Sequence, residues 1–468
     1  MEGEKLSPEA HVTTPSRPVP ADQPADTPAG RPADSQARAV LRLAVPAFLA
    51  LVAEPSFLLA DAAVVGRLGT VPLAALGVAA AVLTTVAGIF VFLAYGTTAA
   101  VARRAGAGDL RGALGLGVDG AWLAAALGAV TAVVVAALAH PLCTLVGGSP
   151  AVTDAAASYL RISALGLPAT LVLLSATGVL RGLQDTRTPL VVAVLGFGAN
   201  IGLNVALVHG AGLGLDGSAW GTVAAQNGMA VALVAVVVRG VRRHGAPLRP
   251  RGAQVLRSAR DGVPLLVRTL ALRAALLVTT WVAASGGDAA LASYQVAATV
   301  WAFLAFALDA LAIAGQALTG RALGAGDVPR ARALTALMVR WGVGAGFVLG
   351  AVVLALHRVL PPLFSPEPQV QAALGAALVV VALQQPLAGF VFVLDGVLIG
   401  AGDSRWLAWA QLGVLLTYLP VALLARAAGV SSSGVWWVFT VFVLARALAL
   451  GWRVRGEAWA VAGASREG

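Results

Sequence analysis

Asp61 lies deep inside the apolar run 41–67, seven residues after Glu54. A carboxylate at the centre of a membrane helix costs roughly 2.5–3.5 kcal/mol, so it persists only with a partner, a water-filled cavity or a proton. Its chemistry would be uptake and release of H⁺ or capture of a small cation; the plainer reading is a cap for the helix end before Gly66. Asp61 falls about twenty residues into its run, towards the far side of the membrane from the N-terminus. Glu54 sits two turns back on nearly the same face. It could meet a cationic substrate, pass on the proton or simply line a wet cavity, and Pro55 after it is expected to loosen the helix. Asn200 and Asn204 are four apart and share a face, each offering an acceptor and two donors. Interhelical hydrogen bonding explains them equally well. Later in the chain, Asp309 and Gln316 stand seven apart on one run and Asp395 lies in the middle of another, with Arg268 and Arg273 near enough in sequence pattern to neutralise them. This group reads either as structural Arg–Asp pairing or as a second proton-sensitive or substrate-orienting site. Asp119, near the start of the third run, is given no role.

Other chemistries lack their residues. Gly115–Gly120 fits G-x-G-x-x-G but opens an Ala-rich apolar run with no strand before it, so a dinucleotide site is excluded. Lys5 is the only lysine, so there is no P-loop and no ATP-driven motor within the chain. His11, His140, His209, His244 and His357 have no metal-ligand spacing, and the single Cys143 reads as apolar filler. No D-D-x-x-D pattern of an intramembrane prenyltransferase occurs. No cofactor is expected beyond a coupling ion, H⁺ or Na⁺, and no metal.

The elements that must position these residues are membrane helices. Of 468 residues, 59% are hydrophobic and 12% charged, against about 25% charged in soluble domains, and the mean hydropathy is +0.85. Spans are predicted over 41–67, 72–102, 113–140, 152–181, 188–212 and 215–240, then 261–285, 290–322, 331–357, 368–400, 404–427 and 432–454. Residues 1–38 read as a disordered tail, 39–240 as an N-lobe, 241–260 as a basic connector, 261–455 as a C-lobe and 456–468 as a second tail. The net charge of +10 would suggest nucleic-acid binding. The arginines instead gather in the connectors after even-numbered spans, from Arg103, Arg104 and Arg111 to Arg405, which predicts both termini in the cytoplasm and no nucleic-acid partner.

A shift of 218 residues maps Pro46 onto Pro264, Arg103 onto Arg321, Gly106, Gly108 and Asp109 onto Gly324, Gly326 and Asp327, Pro168 onto Pro386, and Gly178, Gly182, Asp185 and Arg187 onto Gly396, Gly400, Asp403 and Arg405. Six spans per half return the chain to the same side, so the repeats are parallel. The expected fold is an all-α polytopic membrane protein of twelve transmembrane helices in two six-helix lobes, suited to alternating access by rocking. The Gly-Ala-Gly-Asp turns read as helix punctuation, Gly ending one helix and Asp capping the next.

The first span ends Asp61-Ala-Ala-Val-Val-Gly66-Arg67-Leu68-Gly69. With Gly106-Ala-Gly-Asp109, Gly178-Val-Leu-Arg-Gly182-Leu-Gln-Asp-Thr186, Asn200-Ile-Gly-Leu-Asn204, Tyr294-Gln-Val296, Gln316-Ala-Leu-Thr319 and Gly400-Ala-Gly-Asp403, this order resembles the multidrug and toxic compound extrusion (MATE) family, nearest its DNA-damage-inducible F (DinF)-like branch, over roughly 40–455. The resemblance implies a secondary active exporter of organic, often cationic and amphipathic compounds, driven by H⁺ or Na⁺, and not an enzyme. It also implies a cation site in the N-lobe, carried here by Asp61, Asn200 and Asn204, with Glu54, Gln316, Asp309, Asp395 and Arg273 as candidate substrate or secondary polar residues. Many relatives carry Asp where this chain has Asn204, which leaves one carboxylate fewer and favours H⁺ over Na⁺. A monomer in a bacterial plasma membrane is the matching expectation. The rival readings are an exporter or flippase of a lipid-linked or metabolite substrate on the same fold, an intramembrane enzyme and a channel.

Overall fold

In lipid a chain can satisfy its backbone only within helices or closed barrels, and these apolar Ala-, Val- and Leu-rich runs become helices. The structure, a computed structural model, describes residues 33–465. The first half contains α1 (Ala33–Gly66), α2 (Thr70–Phe90), α3 (Phe92–Gly106), α4 (Leu110–Ala137), α5 (Ala139–Val146), α6 (Pro150–Ala164), α7 (Leu167–Gly182), α8 (Arg187–Val205) with a π-helical turn (Ala206–Gly210), and α9 (Gly214–Arg243). The second contains α10 (Gly252–Ala284), α11 (Asp288–Gly324), α12 (Val328–Leu356), α13 (Leu360–Phe364), α14 (Pro368–Gly400), α15 (Ser404–Ala427) and α16 (Ser432–Arg455). Among the described residues, eleven helices are long and apolar enough to cross a membrane, α2 with α3 counting as one, and the pair α6–α7, bent by 51°, makes a twelfth.

The repeat is built into the element boundaries. Helices begin at Thr70 and Asp288, Leu110 and Val328, Pro150 and Pro368, and Gly214 and Ser432, each pair 218 residues apart. It also governs packing. A Cβ at Gly178 would come within 2.7 Å of the Ala94 carbonyl and one at Gly182 within 2.8 Å of the Thr98 carbonyl; their counterparts Gly396 and Gly400 press on the carbonyls of Ala312 and Gln316, the residues 218 positions on. These are small-residue seams that let membrane helices approach backbone to backbone. The expected punctuation is present: Gly108 and Gly326 take φ of +80° and +79°, and Asp109 and Asp327 accept from the backbone N–H of Gly112 and Arg330 at 2.7 and 2.9 Å.

The lobes meet through α3 and α11. A Cβ at Gly106 would collide with the Arg321 carbonyl, and one at Gly324 with the Arg103 carbonyl. Around this reciprocal contact, the Arg103 guanidinium donates to Ala401 O at 3.0 Å and Val461 O at 2.8 Å, and that of Arg321 donates to Gln184 Oε1 at 2.8 Å. The interlobe side-chain hydrogen bonds found among the described residues lie between the level of Tyr95 and this arginine-rich end, so the protein is closed here.

Three segments depart from the boundaries expected of the sequence. Helix α10 begins at Gly252, so only 244–251 of the connector is outside helix. Asp119, buried to 1% exposure, holds that stretch by accepting from the Arg251 backbone N–H at 3.0 Å and its guanidinium at 2.6 and 3.1 Å. The segment after α16 is no free tail over its described part: Trp459 is buried and Gly463 N–H donates to Leu323 O at 2.9 Å. Of the N-terminal tail expected over 1–38, residues 1–32 lie outside the described residues, and the remainder already belongs to α1. Pro55 does not interrupt α1.

A Cβ at Gly320 would lie 3.0 Å from that of Ala102, so a helix shift of a few tenths of an ångström reaches the roughly 3.5–4.5 Å of a disulfide. The pair Ala102→Cys/Gly320→Cys, made with Cys143→Ala, is therefore expected to cross-link on mild oxidation, read as a mobility shift on non-reducing gels. Adding Gly324→Val should suppress the cross-link by forcing α3 and α11 apart; an undiminished yield would contradict this junction.

Candidate functional site

Asp61 is 3% exposed on α1, where α8 and α9 pack against it. Its Oδ1 accepts two hydrogen bonds of 2.7 Å, from Asn204 Nδ2 on α8 and Ser218 Oγ on α9. Asn204 and Ser218 are fully buried. One turn away Asn200 Nδ2 donates to Thr222 Oγ1 at 3.4 Å. Tyr159 of α6 packs beside Ser163, Ser218 and Thr222 and faces Asp61. Phe57 and Phe197 stack with ring centroids 5.2 Å apart, one turn below Asp61 and Asn200 on their helices. Among the described residues, the cluster thus contains one carboxylate among neutral hydrogen-bonding groups. Asn200 Oδ1 and Asn204 Oδ1 are buried with no hydrogen-bond partner among the described residues.

Local irregularities make this arrangement possible. Helix α6 breaks just after Ser163, and α8 passes into the π-helical turn just after Asn204; single π turns inside helices often mark functional sites. Gly221 supplies the remaining space, since a Cβ there would collide with Asn204 Oδ1.

The C-lobe is an internal control. The positions 218 residues beyond Asp61 and Asn200 are Thr279 and Tyr418, whose hydroxyls are bonded to each other at 2.7 Å. Asn204, Ser218, Tyr159 and Ser163 correspond to Ala422, Trp436, Ala377 and Val381. The same place in the same fold is therefore closed without any charge.

The second polar group gathers elsewhere. Asp395 of α14 is bracketed by two guanidiniums, Arg268 of α10 and Arg446 of α16: Arg268 Nε donates to Oδ1 at 3.0 Å and its Nη2 pairs with Oδ2, while Arg446 Nη2 reaches Oδ2 at 3.2 Å. Asp309 of α11 accepts from Tyr95 Oη at 3.3 Å, and Gln316, two turns on, donates to the Tyr95 carbonyl at 2.5 Å. Both α11 side chains thus grip one residue of the other lobe. Arg181 and Arg268 act on Asp309 electrostatically. Arg273 does not join either carboxylate: its guanidinium lies against the backbone of Gly88 on α2, because it points away from the α14 side of α10. The Glu54 side chain lies outside the described residues.

Sequence reasoning missed Ser218, Thr222, Tyr159 and Ser163. Isolated hydroxyls in an apolar run carry no pattern, and Ser218 becomes visible only once α9 is laid on α1. It missed Arg446 for the same reason.

Removing Asp395 leaves two buried cations unpaired, which costs about 3–5 kcal/mol. Asp395→Ala should therefore lower thermal stability in detergent far more than Arg446→Leu, which leaves a one-to-one pair. Equal losses would contradict the bracketed arrangement.

Comparison with known proteins agrees with the doubled fold. A family model described as MatE matches residues 46–206 and 264–424, two matches set apart by the offset of the repeat. DNA damage-inducible protein F of Escherichia coli is 28% identical over 433 residues, covering 90% of this chain and 92% of that protein. A probable multidrug resistance protein NorM of Deinococcus radiodurans is 30% identical over 434 residues, covering 89% and 94%. Protein DETOXIFICATION 44, chloroplastic, of Arabidopsis thaliana is 30% identical over 430 residues, covering 89% and 81%. The structure of the Vibrio cholerae MATE transporter VcmN in its bent form matches with a TM-score of 0.82 at 24% identity, covering 92% of this chain and 99% of that one, a likeness of fold alone. With a family match that spans both lobes, this chain belongs to the MatE family, and it is a multi-pass membrane transporter and not an enzyme.

Proposed function

We propose that the protein exports organic, cationic and amphipathic compounds by antiport with H⁺, with Asp61 as the coupling group. The observation that carries this reading is the Asp61 carboxylate, the one carboxylate of the N-lobe cluster among the described residues, buried on α1 and held by Asn204 and Ser218, where the C-lobe equivalent is uncharged. One acid among neutral groups suits one proton. Protonation removes the charge that orients the Asn204 amide and the Ser218 hydroxyl, so the contacts of α1 with α8 and α9 weaken together. Substrate enters between the lobes from the arginine-rich end, the lobes rock, and protonation reshapes the N-lobe and drives release. The multidrug names of the relatives support the substrate class.

Sodium is the second reading, favoured by the side-chain oxygens of Asn200 and Asn204, which have no hydrogen-bond partner among the described residues and supply neutral ligands of the kind a hard cation takes. Transport of a fluorescent cationic dye in proteoliposomes separates the two. Movement driven by a pH gradient and reduced at least about tenfold in Asp61→Asn is the expected result. Movement driven by Na⁺ alone would replace the ion and keep the exporter. Coupled transport unchanged in Asp61→Asn would sink the role of Asp61. No dye movement by folded protein would point to a lipid-linked or metabolite substrate.

We also infer that the arginine-rich end and both termini face the cytoplasm of a bacterial cell. A Gly245→Cys label site in a Cys143→Ala background should then react with a membrane-impermeant maleimide only after permeabilisation; labelling of intact cells would reverse the orientation.

A further inference from the structure

Arg103 and Arg321 hold equivalent positions near the ends of α3 and α11, yet the lobes grip them differently. Arg321 is bonded to a side chain, Gln184 of the turn after α7. Arg103, 3% exposed, is bonded to two backbone carbonyls of the C-lobe, Ala401 in the turn after α14 at 3.0 Å and Val461 beyond α16 at 2.8 Å. The second carbonyl stands there because the last helix stops short. The residue equivalent to Val461 is Arg243, which still belongs to α9. Helix α16 ends at Arg455, Gly456 is extended with φ −80° and ψ −179°, and the chain then runs to the ends of α3 and α11.

This segment has a fixed root and an exchangeable tip. At the root, Trp459 is 1% exposed and its Nε1 donates to Val454 O at 3.0 Å, while Glu457 pairs with Arg332 of α12 at 3.1 Å. At the tip, Val461 and Ala462 are exposed. The tip touches both lobes: Val461 O accepts from Arg103 of α3, and Gly463 N–H donates to Leu323 O of α11 at 2.9 Å. Gly463 does so at φ +118°, a conformation open to glycine. An exposed backbone group can trade such a bond for one with water. A buried guanidinium that loses an acceptor loses one of the stronger, charge-assisted bonds, so the tip matters most to the arrangement in which Arg103 is enclosed.

We propose that residues 456–463 are a latch on the movement of the lobes. Rooted in the C-lobe, the segment closes over Arg103 of the N-lobe, holds the arginine-rich end shut, and releases the guanidinium each time α3 and α11 separate. The closed arrangement gains a contact that the open one lacks, and the equilibrium between them shifts by that difference. The latch rests on the rocking of the lobes in the function proposed above, and not on Asp61, the coupling ion or the exported compound.

The test is the rate at which a maleimide labels Ala99→Cys, made with Cys143→Ala, in the purified protein in detergent. Ala99 is buried on α3 beside Gly320 of α11, so labelling reads the opening of this junction. Ending the chain after Arg455 should speed labelling by about tenfold or more. Gly463→Val, which strains the tip and leaves Trp459 in place, is the milder variant should the shortened chain fail to fold, and it should act in the same direction. Arg103→Leu should also speed labelling, and adding either change to it should contribute no more than about a further twofold, because the segment acts through that guanidinium. Glu457→Gln, which breaks only an exposed ion pair, should stay within about twofold of the parent. Native Cys143, buried at the other end of the N-lobe, should keep its rate in the same variants without Ala99→Cys. An unchanged rate at Ala99→Cys in the tip variants, full additivity with Arg103→Leu, or equal acceleration at Cys143 would overturn the latch. Labelling as expected with no dye transport would sink the exporter and keep the latch; transport with unchanged labelling would do the reverse.

Discussion

The geometry of the molecule depends on a reciprocal absence of side chains. Where Gly106 lacks a Cβ the Arg321 carbonyl enters, and where Gly324 lacks one the Arg103 carbonyl enters. Two related helix ends can approach this closely only if each is glycine at the point of contact. The arginines that supply those carbonyls then send their side chains across the junction, to Ala401 and Val461 in one direction and to Gln184 in the other. One pair of glycines thus sets the distance between lobes and the reach of the guanidiniums. The described part of the C-terminal segment is drawn into the same joint through Val461 and Gly463, which is why it packs instead of trailing away.

Repetition of the scaffold makes its asymmetries informative. The positions of the N-lobe cluster are filled in the C-lobe by Thr279, Tyr418, Ala422 and Trp436, and the positions of the C-lobe network are filled in the N-lobe by Ala50, Val91, Thr177 and Gly228, opposite Arg268, Asp309, Asp395 and Arg446. Neither polar group is therefore a requirement of the fold. A structural role alone would predict similar chemistry at equivalent places. The helix irregularities follow the same division: the break after Ser163 and the π turn after Asn204 have continuous helix in the C-lobe at α14 and α15. In the N-lobe, regular hydrogen bonding is given up beside the buried carboxylate of Asp61, as strain is commonly found at functional positions.

Much of this was legible in the sequence because the relevant signals are periodic or punctuated. Arginine marked the ends of spans, Gly and Pro at a constant offset marked the repeat, and the predicted boundaries of α14 and α15 coincide with the observed helices. The pairing of Asp61 with Asn204 followed from the order of motifs and a resemblance, and the two side chains do meet. What stayed hidden depends on helix rotation in three dimensions. Arg268 and Arg273 lie five apart on α10, so they point in different directions, and sequence spacing alone did not say which would reach Asp395. Ser218 and Tyr159 belong to helices whose register against α1 is set by Gly221 and by the break in α6, and neither feature states its partner in one dimension.

Helix α1 ties these pieces together. It carries Asp61 near one end, and at its middle Ala47, Phe48 and Leu51 pack on Ala310 and Ile313 of α11, in the opposite lobe. Pro46 cannot donate to the carbonyl of Arg42, four residues back, and that carbonyl is met instead by Thr186 Oγ1 at 3.5 Å. The helix is therefore held by a side-chain bond towards its arginine-rich end and an apolar contact at its middle, where an unbroken ladder would have held it by its own backbone. Bonds of that kind can be exchanged without unfolding the helix, because each has an alternative partner in water or in a neighbouring side chain. A change in the charge of Asp61 alters what holds α1 to α8 and α9, and any resulting movement of a continuous helix must reach the surface it shares with α11. The link between a buried carboxylate and the joint between lobes is then a single rigid element with replaceable contacts at both ends, which is the physical requirement for one site to bias the other.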